Sequence, residues 1–93
     1  MSPRWATVGR VGLYFYGAER HRRPHVDVRG PGFNATLDLH TGEVLAGELP
    51  RSELRQIRQL LGEHRDLALE AFYRTLNHEF PGTLREQLGG NDE

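Results

Sequence analysis

The chain has 93 residues, no cysteine and a net charge of −1. This length fits one domain, and the lack of cysteine excludes disulfides, thiolate zinc sites and a cysteine nucleophile. All twelve basic residues are arginine, spread unevenly: residues 1–30 carry six against Glu19 and Asp27 (net +4), and residues 31–93 carry six against eleven acids (net −5).

The opening "MSPRWATVGR" has no apolar stretch of the secretory type. No apolar run reaches the roughly 18 residues of a membrane span, so a cytoplasmic protein without a membrane partner is expected. Residues 8–16, "VGRVGLYFY", alternate with period two and predict the first strand. Val11, Leu13 and Phe15 fall on one side, Tyr14 and Tyr16 on the other. "GAERHRR" is a connecting loop, and "PHVDVRG" is a second strand opened by Pro24. After the turn "GPG", "FNATLDL" predicts a third strand with Phe33, Ala35, Leu37 and Leu39 on one face. "EVLAG" is a short fourth strand. The period then changes. Leu54, Ile57, Leu60 and Leu61 predict a helix opened by Pro50 and ended by Gly62. Leu69, Phe72, Tyr73 and Leu76 form the stripe of a second helix. "TLREQL" can form a third, short one.

Strands followed by helices give an α+β class. The expected architecture is a three- to four-stranded antiparallel meander with two helices packed on one face. One domain is expected over 1–88, with strands at about 8–47, helices at about 50–78, a short C-terminal segment at 79–88 and a frayed tail at 89–93.

Alternation sends Val26 and Val28 toward the helices, and His25 and Asp27 together toward the other face. Tyr14, Tyr16, Thr36 and Asp38 join them there. His21, four residues before His25, completes a His-x3-His-x-Asp constellation. Imidazole nitrogen with carboxylate oxygen suits a divalent transition metal, with three protein ligands leaving a position for water. The same His21, His25 and Asp27 can serve as acid, base and orienting group of a small hydrolase of ribonuclease type, with the arginines holding phosphate. Arg20, Arg22 and Arg23 beside Tyr14 and Tyr16 are also the residue types that bind RNA or carry the energy of a protein interface. The plain alternatives are a solvated loop for the arginines and an ordinary hydrogen-bonded pair for His25 and Asp27. No nucleophile elbow or phosphate loop is present.

The stretches "YFYGAERHRRPHVDVRG" and "ATLDLHTGEVLAGELPRSELRQIRQLLGEHRDLALEAFYR" resemble the small bacterial family catalogued as domain of unknown function 4160. The matching positions are His21, Pro24, His25, Val28, Asp38, Thr41, Gly42, Glu43, Val44, Leu45, Gly47, Leu49, Pro50, His64 and Arg65, spread through residues 11 to 74. Two positions depart: Asp27 stands where the family has a second strand histidine, and Arg23 where it has a proline. The resemblance implies a two-gene, toxin–antitoxin-like neighbourhood and so a protein partner encoded nearby, with a homo-oligomer as the other option. It also draws His64 into the candidate binding set of Tyr14, Tyr16, Arg20, Arg22, Arg23 and Asp38. An interaction module is the leading expectation; a hydrolase and a metal-binding module are the alternatives.

Overall fold

The computed structural model describes residues 4–16, 23–79 and 81–89. Five strands form one sheet: β1 Arg4–Val8, β2 Val11–Tyr14, β3 His25–Gly30, β4 Phe33–Asp38 and β5 Val44–Gly47. They lie in sequence order, each antiparallel to the next. Helices α1 Arg51–Glu63, α2 Arg65–Leu76 and α3 Leu84–Gln87 follow. The class is α+β, as the period change implies, with one strand more than expected.

The extra strand comes from the expected strand 8–16, which breaks at Gly9 and Arg10. Val8 pairs with Val11 across this tight turn, so the segment before it becomes β1. Arg10 in the turn donates to Glu53 of α1 at 2.9 Å, tying the hairpin to the helix layer. The pairing of β1 with β2 shifts register between Arg4 and Ala6. Trp5 is the extra residue. Such a bulge reverses the pleat locally. Ala6 therefore faces the core opposite Leu13, while Arg4 emerges on the other side of the sheet, opposite Tyr14.

The core holds Trp5, Val11, Leu13, Phe15, Val26, Val28, Ala35, Leu37 and Leu39 from the strand half, as period two predicts. Ile57 and Leu61 of α1 meet them from the helix side. On α2 the buried residues are Ala68, Ala71 and Phe72, whereas Tyr73 is 49% exposed. Of the expected stripe, Phe72 is buried and Leu69 and Leu76 pack against the core, whereas Tyr73 turns outward and Ala68 and Ala71 take the remaining buried positions. Gly62 does not end α1; it lies in the last turn, and His64 joins the two helices. Thr83 and Glu86 form a reciprocal capping box that starts α3. Among the described residues no helix is long and apolar enough to cross a membrane.

Candidate functional site

The helices cover one face of the sheet, and the polar-aromatic residues of the strands gather on the other. Tyr14 and Tyr16 emerge there as alternation requires, with rings 6.0 Å apart and within 9° of parallel. Arg4 donates from Nε to the Tyr14 hydroxyl at 3.1 Å, and Arg29 from Nε to the Tyr16 hydroxyl at 3.0 Å. The guanidinium carbons lie 5.8 and 5.5 Å from the respective ring centres. The four side chains form one array, Arg4–Tyr14–Tyr16–Arg29. Gly12 makes room for it. A β-carbon at Gly12 would lie 2.9 Å from both Arg4 Nε and Tyr14 Cε1, so the Tyr14 ring leans along β2 over a position without a side chain.

Asp27 sits opposite Tyr14 on the same face, and its Oδ1 accepts from the Thr36 hydroxyl at 3.0 Å. A depression of about 210 Å³ beside it is lined by Asp27, Arg29, Asn34, Thr36, Ala46 and neighbouring backbone.

His25 and Asp38 do not join this surface. Both are only 4% exposed, and they face each other across the pairing of β3 with β4. The His25 ring packs edge-on against Phe72 of α2, with ring centres 5.3 Å apart, and its Nδ1 lies 2.9 Å from the Arg23 carbonyl oxygen. The reason is position. His25 opens β3 and Asp38 closes β4, so both stand at the end of the sheet, where α2 comes past. Arg65 of α2 donates there to the Leu39 carbonyl at 3.2 Å. Strand alternation orients residues within a sheet; at its end the neighbouring helix takes over.

Asp38 organises the turn between β4 and β5. Its Oδ1 accepts from the backbone N–H of His40 at 2.7 Å and of Thr41 at 2.9 Å, an Asx-type arrangement. Its Oδ2 lies 3.3 Å from Arg23 Nε. Arg58 closes the turn by donating to the Gly42 carbonyl at 2.8 Å. Burial raises the Asp38 carboxyl, but the N–H groups of Thr41 and His40 and the charge of Arg23 outweigh it and leave it below the usual carboxylate value.

A folded-state value below the unfolded one stabilises the fold above the unfolded value, and that contribution is lost as pH falls through the folded one. Stability is therefore expected to fall as pH drops below about 4. Asp38→Asn should cost about 1–3 kcal/mol at pH 7 and should flatten the acid slope. Urea denaturation of both proteins at neutral and acid pH checks this; equal slopes would refute it.

His64 caps the junction of α1 and α2, partly exposed, with Nε2 4.0 Å from Glu63. Arg20, His21 and Arg22 lie outside the described residues. Arg23 is exposed and engaged with Asp38. Of the expected cluster, the structure brings Tyr14, Tyr16 and Asp27 to one face and directs His25 and Asp38 to another neighbourhood. Among the described residues, no three His, Cys, Asp or Glu side chains gather as metal ligands.

Sequence reasoning missed Arg4, Arg29 and Gly12. Arg29 was within reach, since it lies two residues after Asp27 on the same strand face. Arg4 was not, because only the bulge at Trp5 turns it outward.

No curated protein and no solved structure matches the chain. A family profile described as a domain of unknown function (DUF4160) matches residues 10–73. That span includes β2 to β5, α1 and most of α2. It takes in the two tyrosines, Arg29, Asp27 and the Asp38 turn, but neither Arg4 nor the bulge that exposes it. With more than half of its length matched, the chain belongs to the family described as domain of unknown function (DUF4160).

Proposed function

We propose that the protein is a non-enzymatic interaction module of toxin–antitoxin type, whose working surface is the helix-free face of the sheet. The observation that carries this reading is the Arg4–Tyr14–Tyr16–Arg29 array. Tyrosine and arginine are the side chains that most often anchor protein interfaces. Here they are held in place by one another before any partner arrives, which lowers the entropy cost of binding. The hydrolase and metal readings lack support of this kind. They need His21, which lies outside the described residues, and a His25–Asp27 partnership, whereas His25 packs on Phe72 and Asp27 accepts from Thr36.

The test is co-expression with the product of the adjacent reading frame, followed by measurement of complex affinity. Tyr14→Ala/Tyr16→Ala should weaken the complex by at least about tenfold. Glu70→Ala/Arg74→Ala, on the exposed surface of α2, should leave it unchanged. Circular dichroism confirms that both variants are folded. A tyrosine variant that binds like the wild type, or a helix variant that loses binding, removes the sheet face as the working surface.

A further inference from the structure

We infer that the partner taken up by this face is a carboxylate-rich protein segment, which lies across the sheet and pairs its acids with Arg4 and Arg29. This rests on the sheet face being the working surface, and it specifies the chemistry of what binds there.

Charge is the first support. Arg10, Arg23 and Arg74 each face a carboxylate, Glu53, Asp38 and Glu70 respectively. Arg58 and Arg65 each close on a backbone carbonyl. Arg4 and Arg29 differ. Among the described residues neither makes an ion pair. Each is held through Nε by a phenol oxygen, which orients the guanidinium without neutralising it. Among the described residues Arg4 further makes a long 3.4 Å contact from Nη1 to the Thr7 hydroxyl. Both arginines are exposed. Two oriented, uncompensated forks on one face match carboxylates, which a guanidinium can grip with two parallel hydrogen bonds.

The second support separates protein from nucleic acid. A platform for single-stranded nucleic acid works by offering open ring faces to the bases. Here each tyrosine ring already has the other ring and a guanidinium as neighbours. The surface therefore offers hydrogen-bond donors more than stacking area. The adjoining depression of about 210 Å³ is also smaller than the roughly 300–1,000 Å³ of small-molecule pockets. It can seat a side chain of an extended segment. Asp27, the acid of this face, is bonded to Thr36 on the β4 side. It repels carboxylates on that side of the face, which favours the β1 side, where Arg4 stands, for the partner's acids.

The experiment uses the full chain and a short fluorescein-labelled peptide of alternating glutamate and threonine, read by fluorescence anisotropy. The same peptide with glutamine for glutamate and a single-stranded oligouridylate serve as competitors. The acidic peptide is expected to bind more weakly as salt is added. The glutamine peptide should bind at least about tenfold more weakly, and so should Arg4→Gln/Arg29→Gln with the acidic peptide. Both substitutions are at exposed sites, and thermal melts confirm that the fold is kept. Equal binding of the glutamine peptide, or an arginine variant that binds like the wild type, overturns the inference. Preference for oligouridylate overturns it in favour of RNA. Self-association of the chain that is lost in the arginine variant overturns it in favour of a second copy. The two levels of reading separate cleanly. If the arginine variant keeps the partner that Tyr14→Ala/Tyr16→Ala loses, the sheet face stands and the acidic segment falls.

Discussion

Trp5→Ala is expected to cost about 3–5 kcal/mol, enough to unfold much of a domain this small. Trp5 is 2% exposed and meets Phe15 edge-on, with ring centres 5.1 Å apart. Its indole N–H donates to Gln87 Oε1 at 2.7 Å, and Gln87 donates from Nε2 to the Leu67 carbonyl at 2.9 Å. One side chain thus joins β1, the core, α3 and α2. Its removal leaves a large cavity and strips a half-buried amide of its donor. Trp5→Phe refills most of the space and loses mainly the hydrogen bond, so its cost should be only about 1 kcal/mol. Because Trp5 is the single tryptophan, unfolding is best followed by circular dichroism in urea. A Trp5→Ala variant within about 1 kcal/mol of the wild type would show that β1 does not hold the core together.

Gly47→Ala is the second large effect, and its cause is different. Gly47 ends β5 with φ of +74°, a left-handed conformation that costs an L-residue about 1–2 kcal/mol. A β-carbon there would also lie 2.3 Å from the Asn34 carbonyl oxygen and 3.0 Å from the Ala35 α-carbon. Both are backbone atoms of β4, so relief requires moving the strand pairing itself. The total should reach about 2–4 kcal/mol. Gly32→Ala is the control: it shares the left-handed geometry, but nothing lies within 4 Å of the added carbon. It should cost about 1 kcal/mol. Comparable losses for the two variants in chemical denaturation would exclude the steric contribution at Gly47.

Most of the fold could be read from periodicity. Val11, Leu13, Phe15, Val26, Val28, Ala35, Leu37 and Leu39 follow period two and are all buried. The same alternation correctly sends Tyr14, Tyr16, Asp27 and Thr36 to the opposite face. Three features were not legible, and each depends on contacts between segments distant in sequence. β1 has no clear alternation, because the bulge at Trp5 places Trp5 and Ala6 consecutively toward the core and Arg4 away from it. His25 and Asp38 stand at strand ends, where the packing of α2 decides orientation. The buried stripe of α2 runs through Ala68 and Ala71, whose small side chains carry little signal in a sequence pattern. The candidate surface was half visible: its tyrosines follow from spacing, whereas Arg4 depends on the bulge.

The bond between Trp5 and Gln87 also bears on the order in which the structure assembles. Every strand pair in the sheet joins neighbours in sequence, so each hairpin closes a short loop. The Trp5–Gln87 contact instead spans 82 residues. Closing so long a loop from a disordered chain costs about 2–3 kcal/mol more in entropy than closing a hairpin turn. That cost shrinks once the intervening hairpins and helices have formed and brought the two residues near each other. The five strands, each paired with its neighbour in sequence, and the two long helices therefore make up the locally guided part of the fold, and the docking of α3 against Trp5 is its long-range contact, expected to form after them. The surface array does not share that delay: Arg4 reaches Tyr14 through the β1–β2 hairpin, a contact between residues ten apart in sequence, so the array forms with local strand pairing.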